Sequence, residues 1–145
     1  MGIDINESVS RHIGNFRDGD TALTYVIKHG PVNLMRLLID KGADVNSNLG
    51  EAGRLTPLDA ALTDSGSDIQ ACILIENGAV IDGKTGEMAL ASAVHYDYFE
   101  TVKLLIAKGV NINSVTGGGS PLRIAKKRGH DRIVEYLKEN GGVSD

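Results

Sequence analysis

Thr56-Pro57-Leu58-Asp59-Ala60-Ala61 begins a unit that Gly78 closes 22 residues later. The same plan opens at Thr21-Ala22-Leu23, Met88-Ala89-Leu90 and Ser120-Pro121-Leu122, and closes at Gly42, Gly109 and Gly141. Four copies therefore follow one another at about 33 residues, a period that marks a repeat architecture. The opening residues start a helix. Thr56 and Ser120 offer a side-chain oxygen to a free backbone N–H, and Pro57 and Pro121 take the first helical position, where no N–H is needed. Gly30, Gly66 and Gly129 then break that helix, with Asp97 in the third copy. A second helix follows, carrying apolar residues at helical spacing: Leu34, Leu37, Leu38 and Ile39 in copy one, Phe99, Val102, Leu104, Leu105 and Ile106 in copy three, Ile133, Val134, Tyr136 and Leu137 in copy four. The closing glycine suits the left-handed position just past a helix.

The repeat resembles the ankyrin family, whose T-P-L-H-x-A signature and period match these residues over about residues 16–142. Thr56 to Ala61, Gly42-Ala43-Asp44-Val45-Asn46, and Ser120 to Ala125 with Gly129-His130 carry the likeness. It implies an all-α solenoid of helix-turn-helix units joined by finger loops. The expected division is an N-terminal capping helix over 1–17, repeats over 18–50, 51–83 and 84–115, and a capping repeat over 116–142. Val9, Ile13 and Phe16 supply the apolar side of the first cap. Lys126, Lys127, Arg128, Arg132, Glu135, Lys138 and Glu139 make the last repeat polar, as a terminal repeat requires. Residues 141–145 read as a frayed tail. No copy keeps the motif histidine; Thr24, Asp59, Ala91 and Arg123 stand there, which leaves its local hydrogen bonds without an obvious donor. Met88 replaces the capping threonine of copy three, so that helix is expected to start weakly.

The chain has 145 residues, 41% of them hydrophobic, and a formal net charge of −4, which disfavours bulk nucleic-acid binding. Cys72 is alone, so no internal disulfide forms, and it reads as a buried thiol in a reducing compartment. Residues 1–16 contain no long apolar run and no membrane span is visible, so a cytoplasmic monomer is expected. Asn6 stands where a myristoylation motif needs Ser or Thr, and Asn6-Glu7-Ser8 matches a glycosylation acceptor that a cytosolic chain does not use.

Gly78-Ala79-Val80-Ile81-Asp82-Gly83-Lys84-Thr85 matches the phosphate-loop pattern letter for letter. Gly78 already serves as a closing glycine and Gly83-Lys84-Thr85 is expected in a finger turn, with the next helix beginning only after Met88. The match is therefore read as coincidence, and a nucleotide enzyme built on Lys84 is disfavoured. His12, His29, His95 and His130 are neither paired at helical spacing nor next to a cysteine, so no metal or other cofactor is expected. No nucleophile sits in a catalytic context, and the protein is read as no enzyme.

The resemblance implies partner binding on a concave face built from finger tips and the exposed ends of the first helices. The corresponding helix positions are Lys28 and His29, Thr63 and Asp64, His95 and Tyr96, and Lys127 and Arg128. The finger positions are Arg17, Asp18 and Asp20, then Arg54, then Lys84 and Glu87, then Thr116. Charge along this face runs from mixed through acidic or neutral to basic, which suits a partner with the opposite gradient. Arg123, Lys126, Lys127, Arg128 and Arg132 read first as a solvated capping helix, with a nuclear-import patch, a phosphate site or an acidic-partner site as alternatives. Tyr96 is either a surface anchor or folded onto the next loop. The expected function is a non-catalytic module binding another protein, with inhibition of a partner enzyme through the same surface as the alternative. Asn46 and Asn113 fall where the resemblance implies asparaginyl hydroxylation.

Overall fold

A computed structural model of the chain describes residues 20–48, 50, 52–53 and 55–145. The cap expected over 1–17, together with Arg17, Asp18 and Arg54, lies outside them. The described residues form four helical hairpins: α1 (Ala22–His29) with α2 (Val32–Asp40), α3 (Pro57–Ala61) with α4 (Asp68–Glu76), α5 (Gly83–His95) with α6 (Phe99–Ala107), and α7 (Pro121–Arg128) with α8 (Asp131–Glu139). In the inner row α1 packs on α3 and α5 on α7; in the outer row α4 packs on α6 and α6 on α8. No strand occurs among the described residues, only an isolated bridge between Thr116 and Gly119. The architecture is the all-α repeat solenoid.

Each outer helix stops in the same way. Gly42, Gly78, Gly109 and Gly141 have φ of 96°, 94°, 92° and 89°, a left-handed conformation that glycine adopts without steric cost. The next residue then donates its N–H back across the last turn, Ala43 to the Leu38 carbonyl and Ala79 to that of Leu74, both at 2.9 Å. Helix starts use the expected side chains, and the missing motif histidine is replaced in two copies. Thr24 Oγ1 accepts from the Thr21 N–H at 2.8 Å while Thr21 Oγ1 accepts from the Thr24 N–H at 3.3 Å. Asp59 and Thr56 make the same reciprocal pair at 3.0 Å each way.

Copy three departs from the expectation. The helix does not begin after Met88; α5 begins at Gly83, so Lys84 and Thr85 lie in its first turn and Met88 is an exposed mid-helix residue. Two residues account for this. Met88 has no side-chain oxygen with which to cap a helix. Asp82 stands where Asn46 and Asn113 stand in their copies, and those asparagines stitch one finger to the next. Asn46 Nδ2 donates to the Gly78 carbonyl at 2.9 Å and its Oδ1 accepts from the Val80 N–H at 2.8 Å; Asn113 does the same with Gly141 and Val143 at 3.1 and 2.8 Å. A carboxylate cannot donate to a carbonyl, and Asp82 becomes the N-cap residue of α5 instead. Gly86 permits the longer helix, because a Cβ there would lie 1.9 Å from the Ile81 carbonyl oxygen.

Leu23, Leu58, Leu90 and Leu122, the third residue of each opening, are all buried, as are Leu74, Leu105 and Leu137 on the outer row. Truncating one such leucine to alanine costs about 2–5 kcal/mol, transfer and cavity terms together. Copy one differs: Met35 is the buried residue of α2, Leu38 and Ile39 are half-buried, and Leu34 and Leu37 are exposed. The outer face of α2 thus has no helix of a described repeat beyond it. The tail is not frayed. Val143 is held by Asn113, and the Asp145 carboxylate accepts from the Ser120 N–H at 2.9 Å and pairs with Arg123 at 3.4 Å. The Ser120 hydrogen bonds hold the Asp145 carboxyl below its usual pKa.

Candidate functional site

The ends of the inner helices and the turns after them form one side of the stack. They are fixed by hydrogen bonds from the following repeat. Gln70 Nε2 donates to the Ile27 carbonyl at 3.1 Å, Tyr98 Oη to that of Thr63 at 2.6 Å, and His130 Nε2 lies 3.1 Å from the His95 carbonyl oxygen. Three successive turns are therefore tied to their neighbours by side chains 35 to 43 residues further along. Burial pushes the Tyr98 phenol up from its ordinary pKa, helped by Tyr96, so it stays a donor.

The described residues form two grooves along this side. One, of about 410 Å³, brings together Asp20, Lys28, His29, Thr63 and Asp64 from the first two repeats. Within it Lys28 Nζ is 2.8 Å from Asp20 Oδ1, so these two charges satisfy one another first. The His29 ring leans on Tyr25 at 4.8 Å. The second groove, of about 280 Å³, brings His95 and Tyr96 to Thr116. Tyr96 is half-buried; its ring meets His95 edge-on at 4.8 Å and lies 5.9 Å from Tyr98. Arg128 reaches the groove through its contact with His95. Its Nε lies 3.3 Å from His95 Nδ1 and its Nη2 touches both ring nitrogens. Burial, then the charges of Arg128 and His130, hold the His95 pKa below its ordinary value, so the ring is neutral at pH 7 and accepts from the guanidinium.

Other positions stand apart. Lys127 is exposed beside Arg128 in the last turn of α7. Lys84 is exposed in the first turn of α5, and Glu87 lines a separate pocket of about 340 Å³ with Lys108 and Asn111. Leu55, Ala60 and Ser65 complete the first groove, and Ala91, Ser92, Gly118 and Ile124 the second, without having been read from the sequence as site residues. Leu55 and Gly118 precede an opening by one and two residues, the signal by which they could have been found.

Cys72 is half-buried, its Sγ 3.5 Å from Thr101 Oγ1, and burial pushes its thiol pKa up. Among the described residues no group of three or more His, Cys, Asp and Glu is arranged to hold a metal, and no helix is long and apolar enough to cross a membrane. The phosphate-loop match does open a helix, but Gly78 ends α4 and residues 79–82 form no strand. Asp82 is also the N-cap residue of α5, and its negative charge disfavours a phosphate there.

A family model for ankyrin repeats (3 copies) matches residues 66–144, and one for the single ankyrin repeat matches residues 18–48. The chain is 29% identical over 158 residues to the Ankyrin repeat and KH domain-containing protein mask-1 of Caenorhabditis elegans, covering 89% of this chain and 6% of that one. It is 24% identical over 137 residues to the Ankyrin repeat and KH domain-containing protein CBG24701 of Caenorhabditis briggsae, covering 94% and 5%. It is also 31% identical over 112 residues to the Putative ankyrin repeat protein FPV031 of Fowlpox virus (strain NVSL), covering 74% and 33%. The chain thus spans a small fraction of the nematode relatives and a third of the viral one.

Proposed function

The chain belongs to the ankyrin-repeat family, and from that premise we propose that it is a non-catalytic module that docks another protein along its grooved side. The observation that carries this reading is the pinning of three successive turns by Gln70, Tyr98 and His130. A surface held in one conformation before the partner arrives loses little entropy on binding and needs little rearrangement. Within that surface Tyr96 and His95 are the proposed anchors. Each is half-buried at the edge of a groove and presents a ring with a polar tip, the type of side chain that dominates binding energy. Lys28, His29, Thr63 and Asp64 are proposed as the contacts of the first groove.

The test is a comparative capture from lysate of the source organism. Wild type, the His95→Ala/Tyr96→Ala double variant and an Arg36→Ala variant on exposed α2 are used as baits, with mass spectrometry as the readout. Because the two rings also pack on Tyr98 and Arg128, circular dichroism must show the double variant folded at the temperature of the capture. A protein retained by wild type and Arg36→Ala but lost by the double variant supports the reading. Equal retention by all three baits places the partner elsewhere.

A further inference from the structure

We propose that the groove between α5 and α7 is a site for an acidic segment of the partner protein. Arg128 takes the carboxylate of an Asp or Glu side chain, and the cleft beside it takes a small apolar neighbour. The proposal rests on the docking reading above and names the chemistry of the partner.

Arg128 is the starting point. Four cations of the described residues have a carboxylate within ion-pair distance: Lys28 has Asp20 at 2.8 Å, Lys103 has Glu100 at 3.1 Å, Arg123 has Asp145 at 3.4 Å and Arg132 has Glu100 at 4.0 Å. Arg128 has instead the neutral ring of His95, reached across the joint between two repeats. A neutral acceptor orients the guanidinium without cancelling its charge. The guanidinium carries five N–H donors, so the ring leaves part of the fork free for a carboxylate. The favourable field at a helix C-terminus accounts for a cation at the end of α7, but it does not require that cation to lie on the ring of the preceding repeat.

The cleft supplies the rest. Ile124, one helical turn before Arg128 and on the same face, lines the groove with Ala91, Ser92, Tyr96 and Gly118. No carboxylate lines it, whereas Asp20 and Asp64 line the groove of the first two repeats. Lys127, next to Arg128 in the last turn of α7, adds positive charge near the groove, and it has no carboxylate within ion-pair distance among the described residues. A volume of about 280 Å³ takes a small aliphatic side chain and the backbone that bears it. A nucleic acid fits less well, because the chain as a whole carries a net charge of −4 and, among the described residues, this side has only one such cluster.

The test is a selection from a random-peptide display library on the full chain at neutral pH and physiological salt. Enriched peptides are synthesised and titrated by fluorescence anisotropy against wild type, Arg128→Gln and Arg132→Gln, and separately against the His95→Ala/Tyr96→Ala double variant. The expected peptides carry Asp or Glu beside Ala, Val or another small residue. Exchanging that acid for its amide should weaken binding about tenfold on wild type and on Arg132→Gln, and less than about twofold on Arg128→Gln. Enrichment of peptides without an acid, an equal loss on all three chains, or no enrichment at all overturns the proposal. Peptides that depend on Tyr96 but not on Arg128 overturn it while leaving the docking face standing. Peptides indifferent to His95, Tyr96 and Arg128 overturn both.

Discussion

Asp68 of α4 caps a helix of the next repeat through Thr101, accepting from its backbone N–H at 2.8 Å and from its hydroxyl at 2.6 Å. The other carboxylate oxygen accepts from the Glu100 N–H at 2.9 Å. Helix α6 has no side-chain cap from its own N-cap residue, Tyr98. Asp68 therefore satisfies two of the free donors at the start of α6 and fastens the second repeat to the third. Asp68→Ala should destabilise the fold by about 2 kcal/mol, because the lost bonds are charge-assisted and the Thr101 side chain is buried. Asp68→Asn should recover part of that loss. Urea unfolding followed by circular dichroism measures it, and an unchanged midpoint for the alanine variant would remove the capping role.

Asp97 and Gly129 occupy the same place after α5 and α7, with φ of 61° and 75°. An L-residue in this conformation costs about 1–2 kcal/mol, somewhat less for aspartate. Asp97 gains only a contact of 3.9 Å with His130 in return, and its own side chain is 56% exposed, so that contact contributes little. Asp97→Gly should raise stability by about 0.5 kcal/mol after the added freedom of the unfolded chain is subtracted. The reverse change, Gly129→Asp, should lower it by a comparable amount. A fall in melting temperature for Asp97→Gly would mean that the pairing with His130 outweighs the backbone strain.

The stack itself was legible in the sequence because its signals are local. A closing glycine, a capping hydroxyl and a leucine two residues on each act within one turn of helix, and all four copies place Leu23, Leu58, Leu90 and Leu122 inside. What escaped depends on the neighbouring repeat. The pinning of Ser120 by Asp145 and the capping of α6 by Asp68 join residues 25 to 33 apart in the chain, brought together only by stacking. The early start of α5 follows from losing a cap at Met88 and a stitching amide at Asp82 together, where reading Met88 alone suggests merely a weaker start. The candidate site divides in the same way. Helix-end residues fall by register into the two grooves, whereas the contact of Arg128 with His95 is a product of packing between repeats.

Ser47 and Ser114 follow Thr21 and Met88 by the same 26 residues, and only one of them has a partner. Ser47 Oγ lies 3.4 Å from Thr21 Oγ1, while the buried Ser114 Oγ has no hydrogen-bond partner. Methionine at position 88 has removed the hydroxyl that would have answered it. Ser114→Ala should therefore stabilise the chain by about 1 kcal/mol, the desolvation cost of an unanswered hydroxyl. Ser47→Ala should be neutral or destabilising, since it leaves Thr21 with one bond fewer. Denaturation of the two variants side by side checks the contrast, and a loss of stability in Ser114→Ala would show that its hydroxyl is satisfied in solution.

His95 makes the joint between the third and fourth repeats sensitive to acid. Its pKa is held below the ordinary 6.5 by burial first, then by the charges of Arg128 and His130. Between the ordinary and the lowered value the unfolded chain binds more protons than the folded one, so stability falls as pH falls through that window. The contribution is complete above pH 6.5 and is lost as pH drops through the folded value, where an imidazolium would face the Arg128 guanidinium. The Asp97 carboxylate answers His130 rather than His95 and does not offset this repulsion. His95→Gln keeps an acceptor for Arg128 but cannot titrate. The drop in unfolding midpoint between about pH 7.5 and about pH 5 should therefore be smaller in His95→Gln than in wild type. Equal drops in the two proteins would show that His95 does not carry the pH dependence.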